Sequence, residues 1–135
     1  MHTIVEFSAQ ESFLQLIKLD HVAWKFDVYQ VIYGESDKTN ESFADHHDCR
    51  LGKWYYEGRG KQYFSNMPAF KRLEAPHEQV HRHGIAALEA YQRNDTEVLA
   101  KSLLAMEQAS IEVVDMLTSL GTELQRDKIS GSIAA

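Results

Sequence analysis

Three imidazoles and the chain's only thiol, His21, His77, His81 and Cys49, are the residues whose types could do chemistry together. Each offers one soft or borderline donor, and four such donors satisfy the tetrahedral preference of Zn²⁺. They come from separate stretches, so a metal held by all four would pin distant segments together and make their packing depend on occupancy. His77 and His81 stand four apart, a spacing that puts both on one face of a helix. That pair alone is a weak signal in a chain with seven histidines. Taken singly, His21 also fits a hydrogen-bonded core histidine, Cys49 a small buried hydrophobe, and the pair a polar helix edge.

Two enzyme-like readings use the same residues. His77-Glu78-Gln79-Val80-His81 matches HExxH, the helix motif of zinc proteases, and Gly84 extends the match to HExxHxxG. The extended motif requires a histidine three residues after the glycine, where this chain has Ala87. A catalytic zinc also keeps one position open to water, whereas the sequence offers a fourth donor and no strand to align a substrate. Glu78 therefore reads as a surface carboxylate or one that supports a ligand from outside. Glu74-Ala75-Pro76-His77 and Glu78-Gln79-Val80-His81 each read Glu-x-x-His, as in di-iron bundles, but such motifs must come from two different helices.

The elements that must position the four donors are helical. A capping-box pattern at Ser8 and Glu11 precedes apolar residues at Phe13, Ile17, Trp24, Val28 and Val31, which predicts a long amphipathic helix. It should end near Tyr33, with Gly34 as its cap, and His21 lies on its buried stripe. A second helix is predicted from about residues 44–47 to Gly58 or Gly60, with Cys49 near its first turn. Gly52, one turn on, leaves room for a close neighbour beside the site. Residues 59–67 read as an irregular connector, followed by a short helix over 68–74 capped by Asn66. Pro76 suits the first turn of a third helix over 75–92, whose stripe carries His77, His81, Gly84 or Ile85, and Leu88. Asn94 with Glu97 three residues on predicts the start of a last helix running to about Arg126 through Leu99, Leu103, Met106, Val113, Leu117, Leu120 and Leu124. No alternating run predicts a strand. The expected fold is all-α, an antiparallel four-helix bundle with an additional short helix in the connector between helices two and three. One domain over 1–135 is expected, with an ordered core over about 8–126 and a loose tail over 127–135, where no pattern is present.

Composition narrows the function classes. Twenty acidic against fourteen basic residues give a formal charge of −6, which repels a phosphate backbone, so no nucleic-acid partner is expected. Lys71-Arg72, Arg59 and Lys61 are too isolated to form a docking stripe and read as a solvated face. There is no apolar run of the roughly 18 residues needed to cross a bilayer, and no basic-then-apolar secretory leader. A single cysteine forms no internal disulfide, so a soluble protein of the reducing cytoplasm is expected. Of the other histidines, His46 and His47 could cap the second helix, sit in solvent, or substitute as ligands if the thiol were lost. His83, about 200° round the helix from His81, faces away, and His2 is terminal.

Three ordered motifs then carry a resemblance. His21-Val22-Ala23-Trp24, Cys49-Arg50-Leu51-Gly52-Lys53-Trp54 and His77-Glu78-Gln79-Val80-His81 resemble the pattern of the chemoreceptor zinc-binding domain (CZB). That pattern is a histidine followed by an aromatic, then Cys-x-apolar-Gly-x-Trp, then His-x-x-x-His. The resemblance implies that His21, Cys49, His77 and His81 bind zinc, with Trp24, Leu51, Gly52 and Trp54 packing around the site. It further implies a non-enzymatic four-helix sensory module, homodimeric, serving a bacterial chemoreceptor or diguanylate cyclase output domain in the same chain or another. The signal would be zinc itself, or an oxidant such as hypochlorous acid acting on the cysteine.

Overall fold

The computed structural model describes the backbone of residues 4–134 and the side chains of residues 8–126. Its elements are α1 (Ile4–Ile32), a 3-10 turn (Asn40–Ser42), α2 (Arg50–Tyr56), α3 (Arg59–Phe64), α4 (Pro68–Gln92) and α5 (Thr96–Ala134). No strand occurs among the described residues, and no described helix is long and apolar enough to cross a membrane.

Side-chain pairs fix the topology. Glu11 meets Gln125, Lys18 meets Thr118 and Lys25 meets Glu107, so α1 and α5 run antiparallel. Trp54 donates to Gln10 while Arg50 pairs with Asp20, which sets α2 antiparallel to α1. Tyr55 donates to the Phe70 carbonyl and Cys49 touches His77, which sets α2 antiparallel to α4. The short turn over 93–95 returns α5 against α4, the most extensive contact in the molecule. The result is an antiparallel four-helix bundle in which the α2–α3 pair serves as one helix and α1 and α4 run parallel across the centre.

The core follows the helical stripes. Leu14, Ile17, His21, Val28 and Val31 of α1 face Leu73, His77, Val80, His81, Ala87 and Leu88 of α4, with Met106, Val113, Leu117 and Leu120 of α5 closing the far side. Burial of these apolar side chains stabilises by about 1.5–3 kcal/mol each before the cost of ordering the chain is subtracted. Gly34 ends α1 as expected: its φ of 76° turns the chain, and the Glu35 N–H reaches back to the Gln30 carbonyl.

Several boundaries differ from the sequence reading for local reasons. α1 begins at Ile4, so Ser8 and Glu11 lie inside it and do not cap it. α2 begins only at Arg50, because Asp45 Oδ1 accepts from the His47 and Asp48 N–H groups and holds that stretch as a turn. The short connector helix is α3 at Arg59–Phe64, not 68–74. The 68–74 stretch is the start of α4, where Pro68 occupies the first helical turn after Met67, not Asn66, as the N-terminal cap residue. Pro76 consequently sits inside α4 and is buried there. The missing N–H and ring clash cost about 3 kcal/mol in a free helix, and the continuous buried stripe from Ala69 to Leu88 outweighs it. Asp95, not Asn94, caps α5 by accepting from the Val98 N–H, while Asn94 takes the turn's positive φ of 57°. α5 continues beyond Arg126 to Ala134.

Candidate metal centre

His21, His77 and His81 converge between α1 and α4, with one ring nitrogen from each lying within 4.8 Å of the others. All three are buried. Their ring centroids are 5.1 Å (His21–His77), 5.7 Å (His21–His81) and 4.9 Å (His77–His81) apart, each pair nearly edge to face. Cys49 joins through His77, its Sγ 3.3 Å from His77 Nε2. A tetrahedral zinc with ordinary bond lengths needs its sulfur and nitrogen ligands about 3.5 Å apart. The structure thus brings the three sequence-predicted histidines together with Cys49 adjoining them through His77, and it leaves His83 outside the cluster.

Backbone carbonyls set the orientation of two of the rings. His21 Nδ1 lies 3.0 Å from the Ile17 carbonyl and His81 Nδ1 lies 2.8 Å from the Ala44 carbonyl. Only an N–H satisfies a carbonyl, so both Nδ1 atoms carry the proton and both Nε2 atoms present a lone pair. Those two Nε2 atoms are buried with no hydrogen-bond partner. Two orphaned acceptors in a core cost about 1–3 kcal/mol each, and an Nδ1–H held by a carbonyl is the arrangement that metal-binding histidines adopt. The donor set therefore fits a zinc ion. Sequence reasoning could not find the Ile17 and Ala44 carbonyls, because any residue type supplies one.

The electrostatics favour neutral rings. Burial, reinforced by His21, His81, His46 and His47, pushes His77 down to about 2. Burial likewise pushes His81 to about 4 against the opposing Ala44 hydrogen bond, and lowers His21 against its bond to Ile17. Burial raises Cys49 above the ordinary thiol range, against the hydrogen bonds it receives from the Gly52 and Leu51 backbone. Without metal the site holds a thiol and neutral imidazoles, so taking up zinc must expel a proton from Cys49.

These shifts make the metal-free protein acid-sensitive. Unfolded histidine titrates near 6.5, above the folded values of all three rings, so the unfolded chain binds more protons below that pH and stability falls with it. The loss starts as pH drops through about 6.5 and grows by up to about 1.4 kcal/mol per ring per pH unit. Denaturant unfolding in the presence of a chelator is expected to show a lower midpoint at pH 5.5 than at 7.5. A flat profile would mean the rings are solvated.

Cys49 has a second role in the local fold. It is the N-cap residue of α2, its Sγ accepting from the Gly52 N–H at 3.4 Å. A glycine is required at 52 because a Cβ there would lie 2.6 Å from the His47 carbonyl oxygen and closer still to that of His46. The neighbour that Gly52 admits is thus the chain's own 46–47 backbone. Trp24 lies against His81 with ring centroids 4.5 Å apart, and Gly84 gives its indole the space. Trp54 packs one layer away, among Phe13, Phe64 and Phe70. Glu78, the would-be protease base, pairs with Arg82 along the outer side of α4.

A cleft of about 330 Å³ between α1 and α2 exposes the rim of the centre, with Cys49, His21 and His81 lining it. The Asp20–Arg50 ion pair, 3.3 Å long, stands beside it.

Comparison with known proteins agrees with this geometry. The curated proteins and solved structures with which the chain was compared include no match. The profile of the chemoreceptor zinc-binding domain, a family of regulatory sensory domains, matches residues 21–88, half of the chain, from the first histidine of the centre to just past the last. With its ordered motifs, its helical bundle and its converging imidazoles, the chain belongs to the chemoreceptor zinc-binding (CZB) family.

Proposed function

We propose that the chain is a zinc-binding sensory module of bacterial signal transduction, in which His21, Cys49, His77 and His81 hold one Zn²⁺. The observation that carries this reading is the pair of buried, partnerless Nε2 atoms of His21 and His81 beside the Cys49–His77 contact. Bound there, zinc would supply the positive charge that keeps the Cys49 sulfur a thiolate at neutral pH.

The chain's own residues do the rest. His21 ties α1 to the centre, His77 and His81 tie α4, and Cys49 ties the start of α2. A thiolate exposed at the cleft is a target for an electrophilic oxidant: with hypochlorous acid it gives a sulfenic acid and chloride, the sulfur losing the two electrons that chlorine gains. The product is a poorer ligand and a poorer acceptor for the Gly52 N–H, so α2 loses its cap and its link to α4 together. Removal of zinc would loosen the same junction. Either event changes helix packing, which a chemoreceptor or diguanylate cyclase output domain could read.

A homodimer fits the surface of the bundle. Leu19, Val22 and Phe26 of α1 and Leu104, Ile111 and Val114 of α5 are exposed on neighbouring helices. The lone cysteine suits a reducing cytoplasm.

The test is to purify the chain without added metal and measure bound zinc. One zinc per chain is expected, held tightly, and lost or severely weakened in Cys49→Ala and His77→Ala. A single tight zinc that neither substitution disturbs would sink the assignment.

A further inference from the structure

His46 is not among the four residues assigned to the metal, yet it is about as close to the cluster as the cluster's members are to one another. Its ring centroid lies 5.9 Å from that of His77 at an interplanar angle of 85°, against 5.7 Å and 84° between His21 and His81. The ring is half-buried, tilted at 45° against that of His47 with centroids 4.2 Å apart. Neither of its ring nitrogens makes a hydrogen bond within the described residues, whereas its backbone carbonyl accepts one from the Cys49 thiol.

The backbone around His46 is held at the centre by contacts that do not need that sulfur. Ala44, two residues before, accepts from His81 Nδ1, and Asp45 Oδ1 fastens His47 and Asp48. The absence of a side chain at Gly52 lets the 46–47 backbone lie directly on α2. Loss of the thiolate would therefore leave His46 tethered beside the vacated position, carrying a neutral borderline donor of the kind zinc accepts.

From this we infer that His46 is a reserve ligand: when Cys49 no longer coordinates, its imidazole moves in and zinc stays bound by His21, His46, His77 and His81. The oxidised or thiol-free state is then a ligand exchange with the ion retained, and the His46 side chain is what moves. The affinity of that state is lower, because a thiolate has been replaced by a neutral ring.

This inference rests on the four-residue zinc site proposed above, and the experiment separates the two. Zinc affinity is measured by chelator competition, and the ligand set by the absorption of the cobalt-substituted protein, for wild type, His46→Ala, Cys49→Ala, Cys49→Ser and each Cys49 variant combined with His46→Ala or His47→Ala. Circular dichroism confirms that each variant is folded. His46→Ala alone is expected to bind as wild type. The Cys49 variants are expected to lose the sulfur-to-cobalt band but keep a tetrahedral spectrum and measurable zinc. Adding His46→Ala is expected to weaken them by about tenfold or more, the scale of losing a supporting group at a zinc site, while adding His47→Ala is not. Folded Cys49 variants that bind no zinc, or that bind equally well with and without His46, overturn the reserve ligand and leave the four-residue site standing. Cys49 variants that keep wild-type affinity and spectrum overturn the site itself.

Discussion

Gly52→Ala is expected to cost the chain its tight zinc binding and several kcal/mol of stability, although it adds one methyl group to a helix. In most helices the change would help, by about 1 kcal/mol. Here the new Cβ would overlap the His46 and His47 carbonyl oxygens, which are backbone and cannot rotate away. Relief requires α2 to lift off the 46–47 strand of chain, which breaks the Gly52–Cys49 cap and draws Cys49 away from His77. Gly121 provides the control, because a Cβ there would meet only Leu14 Cδ1 at 3.8 Å, an ordinary contact. Zinc titration and denaturant unfolding of the two variants are the measurements: Gly121→Ala is expected to be neutral or stabilising and to bind normally. Equal tolerance at both positions would contradict the packing described for α2.

Removing zinc is expected to lower the melting temperature by about 10–20 °C. A ligand present at a thousandfold above its Kd stabilises the folded state by about 4 kcal/mol, and each kcal/mol moves the midpoint of a chain of this size by roughly 3–5 °C. The effect is large because the ion would satisfy two orphaned nitrogens and join three helices at once. Thermal unfolding followed by circular dichroism, with and without a strong chelator at pH 7.5, checks it. A melting temperature indifferent to the chelator would leave the centre as nothing more than packed histidines.

The stripe positions of the long helices were legible in the sequence because burial imposes a 3.6-residue period, and His21, His77 and His81 fell on that period with Ile17, Val28 and Leu88. Boundaries were less legible where two signals competed. Pro76 and Pro68 both satisfy a first-turn preference, and only the packing of Phe70 and Leu73 against the rest of the core decides that the helix starts at the earlier one. Ser8 and Glu11 form a cap pattern, yet the helix already begins at Ile4. Asp45 looks like any polar loop residue until its carboxylate is seen holding two backbone N–H groups. Gly52 was recognisable as a close-approach position, but its partner was not, since the chain segment it touches has no periodic signature. The resemblance of the three motifs supplied what spacing alone did not: the expectation that four donors of suitable type belong to one site.

The contact between α4 and α5 is the broadest in the bundle, and it owes nothing to the four donors. α1 and α2 meet α4 both at the level of the imidazoles, through His21 and Cys49, and one layer away, where Tyr55 stacks on Phe70. The four donors thus sit like a rivet at one level of a bundle whose other joints, Tyr55 with Phe70 and Lys18 with Thr118 among them, are made elsewhere.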